Sequence, residues 1–136
     1  ALTAPGAALV AAVAALTTAA SDTVASEMGK AFGRTTYLVT SFRRVAPGTS
    51  GAVSLEGTLA GAIAAVALAG IGAALGLIPV AAILPVALAA TLASFAEGWM
   101  AVRWESNGVL NNDALNFLNS LIGAALALLW WHFAGR

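Results

Sequence analysis

The chain contains no cysteine. Disulfide bridges, thiolate zinc sites and thiol nucleophiles are therefore excluded, although the redox compartment is not fixed by this. Charge is also scarce. Charged residues make up 9% of the 136, where a soluble domain carries about 25%. Six basic and six acidic side chains cancel, so no global field points to nucleic acid as a partner. No basic residue precedes the first apolar run, so that run does not read as a signal peptide. The first residue is Ala1 rather than Met, the pattern expected of a processed chain or a fragment.

What the chain has in excess is apolar surface. It is 60% hydrophobic, with a mean hydropathy of +0.91. Too little polar surface remains to coat a water-soluble domain, which makes this an integral membrane protein. A bilayer core of about 30 Å needs roughly 20 apolar residues in a helix. The sequence offers four such stretches: Leu2 to Ala20, Gly57 to Ile78, Val80 to Phe95 and Asp113 to Phe133. Pro85 is expected to kink the third, and Trp130 and Trp131 to anchor the fourth at an interface. No period-two alternation marks a strand. The expected fold is all-α: one multi-pass membrane domain over 1–136, a bundle of about four transmembrane helices. Its two polar connections are 21–56 and 97–112.

If all four spans cross, both polar connections share one side. Lys30, Arg34, Arg43, Arg44 and Arg103 fall there, and only Arg136 does not. The positive-inside rule makes that side cytoplasmic. Asp22, Glu56, Glu97 and Asp113 stand at the four membrane-side boundaries, one per span. Carboxylates gathered at one surface repel unless something neutralises them, and Mg²⁺ is a natural partner. The alternative is that they only mark helix boundaries, where water begins.

Residues 21–34 read SDTVASEMGKAFGR. As a helix, this segment puts Asp22, Ser26, Gly29 and Gly33 on one face. Glu27, Lys30 and Arg34 fall on the adjacent face. An acid for a metal beside cations for phosphate oxygens suits polyphosphate binding. A small-residue packing helix with solvated charges is the alternative. Downstream, Arg43–Arg44 precede Pro47, Gly48, Thr49, Ser50, Gly51 and Ser54. Such a turn exposes backbone N–H groups that can cradle anionic oxygens, although the spacing is not that of a P-loop. Near the end, Asn112, Asn116, Asn119, Ser120 and Gly123 share a face. This polar stripe either lines a ligand cavity or hydrogen-bonds between helices. His132 is expected at the far interface, away from the chemistry.

Three segments together carry a resemblance: ASDTVASEMG (20–29), VAPGTSGAVSLEGT (45–58) and NNDALN (111–116). They resemble a family of polytopic membrane proteins that includes plant and cyanobacterial phytyl-phosphate kinases. More distantly, they are similar to dolichol and phytol kinases and to phosphatidate cytidylyltransferases. The resemblance implies CTP-dependent, Mg²⁺-dependent phosphoryl transfer to a prenyl phosphate at the membrane surface. Under it, Asp22, Glu27 and Lys30 are the expected catalytic group. Metal ligands are expected among Asp22, Glu27, Glu56 and Asp113. Ser26, Arg34, Arg43, Arg44, the 47–54 turn, Asn112 and Asn116 are expected to bind nucleotide and phosphate. Members of the family usually carry further spans before the first motif. A homodimer or a missing N-terminal segment is therefore expected to complete the lipid surface. Three other functions fit the residues: a CTP-using cytidylyltransferase making a CDP-lipid, a small ion or solute transporter, and a non-catalytic membrane subunit.

Overall fold

The computed structural model describes residues 4–134; Leu2 and Arg136, which bear on the expectations above, fall outside them. Four long helices form the molecule: α1 (Ala4–Phe32), α2 (Leu55–Ala74), α3 (Ile83–Met100) and α4 (Asn112–Ala134). All four are long and apolar enough to cross a membrane. The protein is thus an all-α, four-helix, multi-pass membrane bundle. Successive helices run antiparallel. One end packs Val10, Val13 and Ala14 against Ala69, Val86 and Ala127, and the other packs Met100 and Ala101 against Leu115. Large apolar side chains such as Leu16, Ile63, Leu88 and Leu121 are exposed on the outer faces, as lipid contact requires.

The first span runs on without a break into the helix expected from residue 21, so that α1 extends to Phe32. The 21–32 segment is polar without being helix-breaking: it has no proline, and its hydroxyls bond back to the helix. Thr23 Oγ1 donates to the Ala19 carbonyl at 3.0 Å, and Ser26 Oγ to that of Thr23 at 3.1 Å. Pro85 causes no kink, because it sits in the first turn of α3, where a missing N–H leaves no bond unmade. That helix continues past Phe95 to Met100 and then through a π-helical turn, Ala101–Glu105. The first connection also contains two short strands, β1 (Thr36–Leu38) and β2 (Ala52–Ser54), paired antiparallel with Thr36 opposite Ser54.

Small residues set how closely the helices approach. On α2, the buried positions are Gly57, Gly61, Ala65, Ala69 and Gly72, a stripe with nearly four-residue spacing. A Cβ at Gly61 would come within 2.8 Å of the Ala25 methyl and 3.0 Å of the Ser21 carbonyl oxygen. Ser21 Oγ donates to the Gly61 carbonyl at 2.9 Å across this contact. On α4 the buried stripe is Leu115, Asn119, Gly123 and Ala127. A Cβ at Gly123 would overlap the Thr18 side chain of α1. Gly123→Val is therefore expected to destabilise the bundle by roughly 1–3 kcal/mol, the usual cost of overpacking. Gly70→Ala, which meets nothing within 4 Å, should leave the melting temperature unchanged or slightly raised. Thermal unfolding of both variants in detergent checks the pair.

Candidate active site

At the end of the bundle where α2 and α4 begin, a cavity of about 510 Å³ opens between the helices. That volume suits a small-molecule ligand. Helix α1 contributes Asp22, Ser26, Glu27 and Lys30 to its wall. Helix α3 and its π-helical extension add Ser94, Glu97 and Glu105, and α4 adds Asn112 and Asn116. The turn Gly48–Gly51, with Ser54 beyond it, closes the wall toward the loop.

The turn is built by its glycines. Gly48 and Gly51 adopt φ values of 85° and 74°, conformations that side chains disfavour. Both the N–H and the hydroxyl of Thr49 donate to the Ala46 carbonyl, at 3.2 and 2.7 Å, and the Ala52 N–H donates to that of Thr49 at 3.0 Å. These bonds do not use the N–H groups of Gly48, Ser50 and Gly51. Gly51 also seats the turn on α3, where a Cβ would overlap the Gly98 carbonyl and the Val102 side chain. Ser54 ends the turn as the N-cap of α2, accepting the Gly57 N–H at 3.1 Å. Asn111 caps α4 in the same way, its Oδ1 accepting the Ala114 N–H at 2.8 Å. The π-helical turn carries Glu105 into the wall, and such turns are frequent at functional sites.

The cavity is acidic. Its described lining holds four carboxylates, Asp22, Glu27, Glu97 and Glu105, and one cation, Lys30. Glu27 and Lys30 pair at 2.8 Å on the exposed rim. Deeper in, Asp22 and Glu105 lie within electrostatic range of Glu97. The Ser94 and Asn119 side chains face Asp22. Asn119 is only 1% exposed, yet neither Oδ1 nor Nδ2 has a hydrogen-bond partner, and Ser94 Oγ is likewise unpaired. Buried polar atoms without partners are costly and mark positions worth a functional explanation. Among the described residues, no three His, Cys, Asp or Glu side chains are grouped to hold a metal ion. Mg²⁺ commonly needs only one or two carboxylates, its other ligands being water and phosphate oxygens. Asp22 and Glu97 make a donor set of that kind, so the residues present fit the ion.

Of the residues singled out from sequence, Asp22, Ser26, Glu27, Lys30, Gly48, Thr49, Ser50, Gly51, Ser54, Asn112 and Asn116 all line this one cavity. Pro47, Arg34, Arg43, Arg44, Glu56 and Asp113 are not among its lining residues. Arg34, Arg43 and Arg44 are exposed on the connection that holds β1 and β2. Glu56 Oε1 accepts the Arg34 N–H at 3.5 Å. The four boundary carboxylates do not converge. Asp22 and Glu97 reach the cavity because they lie along α1 and α3, whereas Glu56 and Asp113 occupy the first turns of α2 and α4. There they complement the helix dipoles. Glu105 and Ser94 are additions from the structure, as is the placement of Asn119 facing Asp22. The signal was in the third span, where Thr91, Ser94, Glu97, Gly98, Ala101 and Glu105 follow a helical period.

Three relatives share most of this chain. The chloroplastic protein VTE6 of Arabidopsis thaliana is 45% identical over 121 residues, covering 85% of this chain and 36% of its own length. An uncharacterized membrane protein of Synechocystis is 44% identical over 117 residues, covering 85% and 45%. An uncharacterized membrane protein of Methanocaldococcus jannaschii is 30% identical over 122 residues, covering 90% and 51%. The chain therefore spans between about a third and a half of the length of these relatives. No solved structure matches it. The model of the family described as integral membrane protein DUF92 matches residues 2–124, nearly the whole chain, and the protein belongs to that family.

Proposed function

We propose that this bundle is the catalytic part of a prenyl-phosphate kinase that uses CTP as phosphoryl donor. The observation carrying the reading is that segments around residues 22–30, 48–54 and 112–116, far apart in sequence, line one cavity. They are the same three segments that carry the resemblance to phytyl-phosphate kinases. The 45% identity to VTE6 supports the same reading.

The reaction needs positioning and charge neutralisation rather than a covalent nucleophile. A non-bridging oxygen of the acceptor monophosphate attacks the γ-phosphorus. The bond from that phosphorus to the β–γ bridging oxygen breaks, and the electron pair leaves with CDP. With both substrates fully ionised, no proton is gained or lost. The 48–54 turn offers N–H groups to the triphosphate, and Lys30 offers a cation to the transferring phosphoryl group. Asp22, with Glu97 or Glu27, would hold Mg²⁺, which when bound neutralises charge on the phosphates. Asn112 and Asn116 orient the nucleotide or the acceptor phosphate. Lys30, Arg34, Arg43, Arg44 and Arg103 all belong to the cavity end of the bundle, so the positive-inside rule supports a cytoplasmic site. Beyond the cavity, the cluster around Val10, Ala69 and Val86 fills the bundle with apolar side chains. That filling favours a one-sided enzyme over a transport path.

Purified protein in detergent is expected to bind CTP more tightly than ATP or GTP, and only with Mg²⁺. Asp22→Asn should abolish that binding while the protein keeps its helical circular dichroism. Calorimetric titration of the three nucleotides checks this, and equal binding by Asp22→Asn would remove Asp22 from the site. Lys30→Gln should lower kcat/KM about 10- to 100-fold, as expected for losing one charge-assisted hydrogen bond, with little change in melting temperature. Phosphorus NMR of the products separates the kinase from a cytidylyltransferase. CDP with a prenyl diphosphate is expected, and pyrophosphate with a CDP-lipid would overturn the kinase reading.

A further inference from the structure

Two of the four seams between neighbouring helices are closed beside the cavity. Between α1 and α2, Gly57 packs on Ala25 and Gly29, and the Ser21–Gly61 bond seals the level below. Between α3 and α4, Met100, Ala101 and Leu115 form a buried apolar cluster. The α1–α4 seam closes lower, where buried Asn119 faces Asp22 and Gly123 fits against Thr18, and above that level Ser26, Glu27, Asn112 and Asn116 line the cavity.

The α2–α3 seam also closes lower: beyond the far-end cluster that holds Ala69, Val86 and Ala89, its last buried contact before the cavity is Ala65 with Ala87 and Ala90. One turn nearer the cavity end, Thr58 and Ala62 of α2 and Thr91 and Phe95 of α3 line the cavity itself. Phe95 lines the cavity and is still 37% exposed, so it borders both the cavity and the outer surface. Ala62 lies seven residues into α2, about 10 Å below its start at 1.5 Å per residue. A shallow apolar groove of about 430 Å³ meets the cavity at this residue, with Leu59, Ile63 and Val66 on its walls.

We propose that the acceptor lipid enters sideways through this gap between α2 and α3, its phosphate passing into the cavity while its tail stays in the α2 groove. The proposal rests on the reading that the acceptor is a membrane lipid phosphate. A lipid cannot lift its tail into water without losing about 0.8 kcal/mol per exposed methylene, so a side entrance below the helix ends keeps the tail in the bilayer. The hydroxyls of Thr58 and Thr91 give the passing headgroup a polar edge. Below, the Ala65–Ala87–Ala90 contact stops it from sinking further. Lys30 is the cation toward which the phosphate is drawn.

The probe is farnesyl monophosphate carrying a diazirine in its terminal isoprene unit, photolysed in phosphatidylcholine proteoliposomes and mapped by mass spectrometry. Adducts should concentrate on Leu59, Ile63 and Val66 and on the adjoining face of α3. Unlabelled farnesyl monophosphate should displace them, and farnesol should not. In the cysteine-free chain, Thr58→Cys with Thr91→Cys can be bridged by a bifunctional methanethiosulfonate. Bridging should cut labelling by about ten-fold or more, and reductant should restore it, in one folded sample. Labelling spread evenly over the outer faces, labelling centred on α1 and α4, or labelling indifferent to the bridge would each overturn the proposal. CTP-dependent phosphoryl transfer is measured on the same vesicles. Selective labelling without transfer keeps the side entrance and removes the kinase reading; transfer without selective labelling does the reverse.

Discussion

The contact between α1 and α2 is the constraint on which the rest of the molecule depends. Gly57 and Gly61 let the two helices approach until the Ser21 hydroxyl reaches the Gly61 carbonyl. A larger residue at either glycine would push α2 away from α1. The 48–54 turn would move with it, because Ser54 caps α2 and also packs against Gly29 and Gly33. The cavity wall is thus held by backbone proximity, not by large side chains. In lipid that is a sensible source of stability, since apolar side chains gain little by leaving one apolar medium for another.

The same economy explains the charge distribution. Four of the six carboxylates lie on the cavity wall, and three arginines lie outside it, exposed on the connection between α1 and α2. Exposed cations act over several ångströms and raise the local concentration of anions. Under the proposed function, carboxylates inside would disfavour a bare polyphosphate relative to one that arrives with a divalent cation, so the two sets would do different work, attraction outside and selection inside. Lys30, paired with Glu27 on the rim, would leave that selection largely intact.

Much of this was legible in the sequence, and the part that was not has physical causes. Four apolar stretches of spanning length gave four helices because backbone groups in lipid must pair within their own segment. The helical faces of 22–33 and 112–123 also hold, because their periods are uninterrupted by proline. Polarity at Ser21 ends the apolar stretch without ending α1. Thr23, Ser26 and the Glu27–Lys30 pair are compatible with helix, so composition changed there while conformation did not. Glu56 and Glu97 look alike as boundary acids. Only the packing separates them, since Glu97 falls on the face of α3 that turns toward Asp22, whereas Glu56 stays in the opening turn of α2. That Asn119 faces Asp22 depends on how α4 crosses α1, where Gly123 seats on Thr18.

If the cavity takes both a nucleotide and a lipid, as proposed, a bundle of four helices is thin for enclosing them, and its seams bear on how the space would be shared. The α1–α2 and α3–α4 seams are closed beside the cavity by glycines, an inter-helix hydrogen bond and a buried apolar cluster. Nearest the cavity, the α2–α3 seam is held by the methyl groups of Ala65, Ala87 and Ala90, a small contact in dispersion terms, with Ala69, Val86 and Ala89 packed at the far end. Its helices can separate above that point without exposing a large apolar core or breaking a buried hydrogen bond. On the proposed reading, the polar ligand would then need only the mouth at the helix ends, and the apolar one only the flank. Such a division between two routes would rest on the placement of small residues, and it would require neither a large soluble domain nor a wide bundle.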